Sequence, residues 1–435
     1  MNLTKLLFKY EDNTRIAIWR ILFGLVLFAE CFGSIAVGWT KQIFIDPPEI
    51  LFTFIGFEWL QYFHGNAMYL YFSCMGILAI LITIGYRYRL AMICFTVGWT
   101  GLYLMHKTSY NNHHYLLFVL CLMMCITPAH MSFSIDAKSK RVTPSTTSLS
   151  IFRYQYIFLL LIVYTYASIA KWYPDWITGS VMEVMLQSKK DIPYLGFFYR
   201  LPYFSKMIAW GGILFDLFII PMMMWSRTRK FAFTLSIAFH LFNSITFEIG
   251  TFPYMMIASA ILFFPTGKVR AFFRLKDDTT ESRNEYIGPY RQIYLATFIL
   301  FFTIQLALPL RHHLFQGNVL WTEEGHKLSC RMMLRSKSGS IYFKIQYPNG
   351  KVITHAPSQH LTNKQHYTMA THPDMIWQYV QHIKLLEGDS VKIYAVSYVG
   401  VNGRMQQRFV DPNVDLSQIK WQRFKHAEWL LPFEE

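Results

Sequence analysis

Nine apolar stretches mark the first three-quarters of the chain, at about 16–38, 67–85, 90–106, 115–131, 154–172, 207–225, 231–249, 252–265 and 291–310. Most approach the ~20 residues an α-helix needs to cross a hydrocarbon core, so each predicts a spanning helix. The eighth stretch is short, which sets the expectation at eight to nine spans. The first run follows a mixed-charge amphipathic start and reads as a retained span rather than a cleaved signal. From about residue 313 the pattern changes to short alternation. Ile341, Phe343 and Ile345 predict a strand, Pro348-Asn349-Gly350 a hairpin turn, and Lys351 to His355 the returning strand. Pro373 to Leu386 predicts a helix with Ile376, Tyr379, Val380 and Ile383 on one face. Strands over 391–399 and 405–410 follow, around Asn402-Gly403. The expected fold is a polytopic α-helical membrane protein, residues 1–312, carrying a C-terminal extracytoplasmic α+β domain, residues 313–435.

Charge sets the orientation. Lys5, Lys9 and Arg15 precede the first run, and Arg87 and Arg89 follow the second. Lys138, Lys140, Arg141 and Arg153 follow the fourth run, Arg227, Arg229 and Lys230 the sixth, and Lys268, Arg270, Arg274 and Lys276 the eighth. Alternate loops are therefore basic, which places the N-terminus in the cytoplasm when nine crossings are counted. The formal charge of +15 follows this topology and gives no support to nucleic-acid binding. A hydrophobic content of 53% excludes an ordinary soluble protein of this length. Cys31, Cys74, Cys94, Cys121 and Cys125 lie in apolar runs, and only Cys330 falls in a polar region. No disulfide framework or metal spacing is visible among them.

Polar residues inside apolar runs are the candidates for chemistry. Lys171 closes the run 154–170 and leads Lys-Trp-Tyr-Pro-Asp-Trp176, in which Pro174 is expected to end the helix. Two readings of Lys171 stand at this point. It is a snorkelling anchor in an aromatic belt, or a base whose ammonium form is disfavoured by burial. Asn111-Asn112-His113-His114 opens the fourth run, and two asparagines with two histidines exceed what a helix cap needs. Adjacent histidines point to different helix faces, so no metal site is expected there. His240 and Asn243 share a face of the seventh run, as interhelical hydrogen-bonding groups or as part of a site. Asp216, inside the sixth run, requires a partner or a cavity, with Lys171 or Arg20 as candidate cations. The cluster 107–114 and the segment after Lys171 emerge on the same non-cytoplasmic face, which allows one composite site.

Lys-Thr-Ser-Tyr-Asn-Asn-His (107–113), Ala-Ser-Ile-Ala-Lys-Trp-Tyr-Pro-Asp-Trp-Ile-Thr-Gly (167–179) and Phe-His-Leu-Phe-Asn-Ser (239–244) resemble the vitamin K-dependent gamma-glutamyl carboxylase family, whose membrane part is the horizontally transferred transmembrane (HTTM) domain. Gly250-Thr-Phe-Pro-Tyr-Met-Met256 and Arg404-Met-Gln-Gln-Arg-Phe-Val-Asp-Pro412 extend the likeness, in order, over nearly the whole chain. The resemblance implies an enzyme that deprotonates reduced vitamin K, a phylloquinol or menaquinol, for reaction with O2. The alkoxide formed takes the γ-proton of a protein or peptide glutamate, and CO2 adds to the carbanion. Lys171 matches the family's catalytic lysine, and His113 with Asn112 matches its Asn-Asn-His motif. His240 matches the Phe-His motif lining the same cavity, with Asn243, Asn111 and Trp172 as further cofactor contacts.

Two departures accompany the match. The chain stops at Glu435, short of the C-terminal region of animal members, and Arg87 stands where a cysteine of the family's disulfide is expected. Together they imply a compact bacterial relative in the inner membrane. Oxidation or epoxidation of a quinol without carboxylation is the alternative activity. A non-enzymatic membrane binding or transport protein, with Lys171, Asp216 and His240 as a proton or anion path, is the third reading.

Overall fold

A computed structural model describes residues 3–47, 50–276, 288–329, 331–332 and 335–434. Among these, the longer helices of the first part are α1 Thr14–Ala36, α2 Ala67–Ile84, α3 Tyr88–Met105, α4 Asn112–Ile126, α5 Ile151–Ile169, α6 Phe204–Met224, α7 Arg229–Phe247, α8 Phe252–Ser259 and α9 Arg291–Ala307. Each falls on one of the apolar stretches. Among the described residues, five segments are long and apolar enough to cross a bilayer: α1, α2, α5, α6, and α9 with its 3₁₀ continuation to Leu314. Asn112–Ile126 and Phe252–Phe263 are apolar but shorter. The exposed faces of α2, α6 and α9 carry Leu70, Ile77, Leu214, Phe218, Ile299 and Leu300, as a lipid-facing surface would.

Close helix contact has a local cause. At Gly24 of α1 a Cβ would lie 2.9 Å from the Thr83 backbone nitrogen, so only glycine admits this approach of α1 to α2. Arg20, one turn earlier on α1, is fully buried and donates to the carbonyls of Ala129 and Phe133, at 3.2 and 2.6 Å. It is therefore a loop anchor rather than the partner of Asp216. A two-stranded antiparallel pair absent from the hydropathy pattern, β1 Tyr10–Asp12 with β2 Thr147–Leu149, joins the chain start to the segment before α5. Three residues per strand are too few to register as alternation.

The second part is a four-stranded antiparallel sheet in the order β4–β3–β5–β6, with β3 Lys337–Gln346, β4 Val352–His355, β5 Lys392–Val401 and β6 Gln407–Arg408. β3 alternates strictly. Ile341, Phe343 and Ile345 are buried, Ser340, Tyr342 and Lys344 exposed, and Phe343 pairs with Ala395 and with His355. Two helices, α10 Asn363–Ala370 and α11 Pro373–Glu387, belong to this part, and Met369, Ile376, Tyr379 and Val380 join the strands in one core. The hydropathy reading missed α10, although Thr362 and Gln365 form a capping box of the Thr-x-x-Gln type. Pro174 does not end α5. That helix stops at Ile169, and Pro174 occupies the first turn of a separate short helix, Pro174–Ile177, where its missing N–H has no consequence.

Candidate active site

The C-terminal turn of α5 delivers Lys171 to α6. Its backbone N–H donates to Ser168 O at 3.0 Å, and the Ser168 hydroxyl donates to Ile213 O at 3.1 Å, pinning the turn against α6. Lys171 Nζ donates to Asp216 Oδ2, and both side chains are buried. The ammonium also lies over the Trp176 ring, 5.3 Å from its centroid, while Trp176 Nε1 donates to Ala209 O at 3.0 Å. A snorkelling lysine would reach for the bilayer surface. This one turns inward to a carboxylate and an aromatic face.

From Asp216 a chain of contacts runs through three further helices. The Tyr164 ring of α5 packs edge-on against Phe215, the neighbour of Asp216 in the chain. The Tyr164 hydroxyl meets His240 Nε2 of α7 at 2.9 Å, and His240 Nδ1 is buried with no hydrogen-bond partner among the described residues. The His240 ring stands edge-on to Phe252 of α8, with centroids 6.3 Å apart, and Phe252 stacks on His113 of α4 at 3.8 Å. Lys171, His240 and His113 thus belong to one connected cluster. Among the described residues no hydrogen bond or ion pair joins Lys171 directly to His113.

The remaining residues singled out by sequence have separate places. Asn111 caps α4, its Oδ1 accepting from the His114 N–H at 2.9 Å. Asn112 is buried, accepts from the Tyr110 hydroxyl at 2.7 Å and donates to the Arg331 carbonyl of the second part. His114 stands edge-on to Trp39 and Trp99 at 6.4 and 5.5 Å. Trp172 is 53% exposed and stands edge-on to Trp210, so it does not join Lys171 in the interior. Asn243 is half-buried, one turn beyond His240. Cys330 lies outside the described residues, and Cys31, Cys74, Cys94, Cys121 and Cys125 are all free.

A cavity of about 480 Å³ opens beside His113, lined among others by Glu30, Asn111, His114, Thr251 and Phe252. Val26, Ala29 and Thr251 also line a neighbouring cavity of about 700 Å³ whose other walls are mainly apolar side chains such as Leu25, Ile257, Ile261 and Phe272. Lys364 of α10 reaches the first cavity and donates to Ser109 Oγ at 2.8 Å. Among the described residues no cluster of histidine, cysteine and carboxylate side chains is suited to a metal ion. Sequence reasoning missed Tyr164, Glu30 and Lys364. Glu30 was readable as an acid in an apolar run, whereas the tyrosine and the lysine carried no local signal.

Charged side chains hold the second part against this site. Asp175, four residues after Lys171, accepts from Arg404 at 2.7 Å and from Asn402 at 2.8 Å. Asp374 accepts from Lys107 at 2.6 Å and also pairs with Lys327. Burial works against the Asp374 carboxylate, but the two ammonium groups outweigh it and hold the group well below the usual carboxylate range. Burial likewise lowers Lys107, to about 8, against the opposing pull of Asp374.

Apolar helices enclosing a lysine–carboxylate pair and two histidines, capped by a sheet domain, define a helical membrane protein with a buried cluster of ionisable groups. Residues 8–267 match the HTTM domain, and residues 290–435 match the lumenal domain of vitamin K-dependent gamma-carboxylase. The chain belongs to the vitamin K-dependent gamma-carboxylase family. No solved structure matches it.

Proposed function

We propose that this protein is an integral-membrane gamma-glutamyl carboxylase that couples oxidation of vitamin K hydroquinone to its epoxide with carboxylation of glutamate side chains. The observation that carries the reading is the buried Lys171–Asp216 pair, adjoined through the Phe215 ring by Tyr164 and His240, and through His240 by Phe252 and His113. The adjoining cavities suit an amphipathic quinol. The polar one offers His113, Glu30 and Asn111 to a hydroxylated ring, and the apolar one offers length for an isoprenoid tail. The unpartnered Nδ1 of His240 is a further group free to meet a polar ligand.

Lys171 and Asp216 act as one acid–base unit. In a dry interior the ammonium–carboxylate form and the neutral amine–acid form are both without net charge, so the pair exchanges a proton internally at little electrostatic cost. A proton arriving from a hydroquinone hydroxyl leaves Lys171 as the ammonium and Asp216 as the acid. The ammonium then balances the charge left on the ring. Reduced vitamin K, reacting with O2, supplies the strong base that removes the glutamate γ-proton before CO2 adds. Tyr164 and His240 orient and polarise the buried space, and the surrounding apolar helices keep water from competing for the proton.

The orientation completes the reading: nine crossings including the short α8 segment, the N-terminus in the cytoplasm, and residues 313–435 outside it, facing a protein or peptide substrate. A bacterial inner membrane is the proposed location. The test is the purified protein with reduced vitamin K, labelled bicarbonate and a glutamate-containing peptide. Label should enter the peptide with wild-type protein and fail to with Lys171→Ala. Label that survives this change removes Lys171 from the chemistry, epoxide without label favours the quinol-oxidising alternative, and neither product leaves a binding or transport role.

A further inference from the structure

A cavity of about 870 Å³ lies at the end of the helical bundle remote from the sheet domain. α4 starts at the sheet domain, through Asn112, and ends in the 131–147 loop that walls this space. Its lining is rich in hydroxyls and cations: Thr14, Ser132, Ser145, Thr147, Lys138 and Arg270. Ile84 and Phe133 supply an apolar side, and among the described residues no carboxylate lines it.

The wall is held in shape by its own backbone. Ser145 N–H donates to Met131 O at 3.0 Å, Asn13 N–H to Thr146 O at 2.8 Å, and β1 pairs with β2 behind it. Thr14, the first residue of α1, lines the cavity with 1% exposure, and its hydroxyl has no hydrogen-bond partner among the described residues. A buried hydroxyl without a partner costs free energy unless a ligand or ordered solvent supplies one.

Electrostatics select the sign of that ligand. Arg270 is tied to Asp12 at 2.9 Å, so that pair is neutral, but Lys138 is exposed and makes no ion pair among the described residues. Behind the loop, Arg20 is fully buried and bonded to carbonyls, with no carboxylate within ion-pair distance among the described residues. Asp136, an acid within the loop, accepts from the N–H groups of Arg87 and Tyr88 and pairs with Arg141 at 3.5 Å. Among the described residues, Lys138 and Arg20 therefore leave uncompensated positive charge around a hydroxyl-rich hollow beside an apolar wall. We infer that this cavity binds a phosphate-bearing anion, received by Lys138 and by the hydroxyls of Thr14 and its neighbours.

The phosphate comes from an anionic phospholipid headgroup or from a free phosphate, and the test separates these sources. Full-length protein and the Thr14→Val and Lys138→Glu variants are compared in two arms. Native mass spectrometry counts the phosphatidylglycerol retained against phosphatidylcholine, and calorimetry in lipid-free detergent measures binding of pyrophosphate. Wild-type protein should retain phosphatidylglycerol selectively, with retention falling about fivefold or more in Lys138→Glu and measurably in Thr14→Val. Retention of the lipid alone identifies a headgroup site. Pyrophosphate binding that the same variants weaken identifies a free-phosphate site, and either result supports the inference. Equal retention of the two lipids together with no pyrophosphate binding overturns it, as does binding that neither variant alters. Thr14→Val preserves shape and Lys138 is exposed, so loss of binding is distinguishable from loss of fold by the unfolding midpoint of each variant.

Discussion

Removing one member of the Lys171–Asp216 pair should be far more damaging than removing both. The side chains are only 7% and 6% exposed, so water screens little of their interaction. Asp216→Leu leaves an ammonium buried without a counter-charge, and Lys171→Met leaves a buried carboxylate in the same position. Each should cost about 3–5 kcal/mol of stability. The double variant Lys171→Met/Asp216→Leu buries no charge and fills the space with apolar atoms, so it should recover most of the loss and come within about 1–2 kcal/mol of wild type. Equilibrium unfolding of all four proteins in one detergent measures this directly. Catalysis should follow a different order, with turnover lost in both single variants and equally in the restored double variant. If the single-variant losses simply add in the double variant, the two groups do not interact as a buried charged pair, and the proton-sharing argument fails.

Two further outcomes follow from the same geometry. Tyr164→Phe removes the hydroxyl that meets His240 Nε2 and leaves both ring nitrogens of that histidine without a partner among the described residues. Turnover with vitamin K hydroquinone should fall about tenfold or more with KM nearly unchanged, and unaltered turnover would exclude the tyrosine from the proton network. Asp374 is held below its unfolded value by Lys107 and Lys327 despite burial, so its contribution to stability is present above the ordinary carboxylate range. That contribution is lost as pH falls below about 4 toward the folded value. Hydrogen exchange at residues 107–110 should rise below that pH in wild type, whereas in Asp374→Asn exchange should be faster already at neutral pH and change little on acidification.

Hydropathy located the helices because burial in lipid is a property of a continuous run, readable without knowing neighbours. It placed α5 and α6 within a few residues of their observed limits. The same reading could mark Lys171, Asp216 and His240 as out of place, since a polar group in an apolar run is visible locally. It left two cations open as the partner of Asp216, because the choice between Lys171 and Arg20 depends on which helices adjoin. Tyr164 was invisible for a different reason: tyrosine is ordinary in such helices, and only its hydroxyl's meeting with His240 sets it apart. The short β1–β2 pair and α10 rest on backbone pairing and capping, which leave little trace in hydropathy.

The bond from Asn112 to the Arg331 carbonyl and the clasp of Asp175 by Arg404 and Asn402 attach the sheet domain to the two segments that flank the buried cluster, one beside His113 and one beside Lys171. The two modules are therefore poorly suited to independent exchange. A hybrid that joins this helical part to a foreign outer domain would retain every acid and base of the cluster yet lose the struts that fix their spacing. Changes at residues 402 and 404 should be tolerated over evolutionary time mainly when matched by changes at 175, so that each module is inherited with its own counterpart.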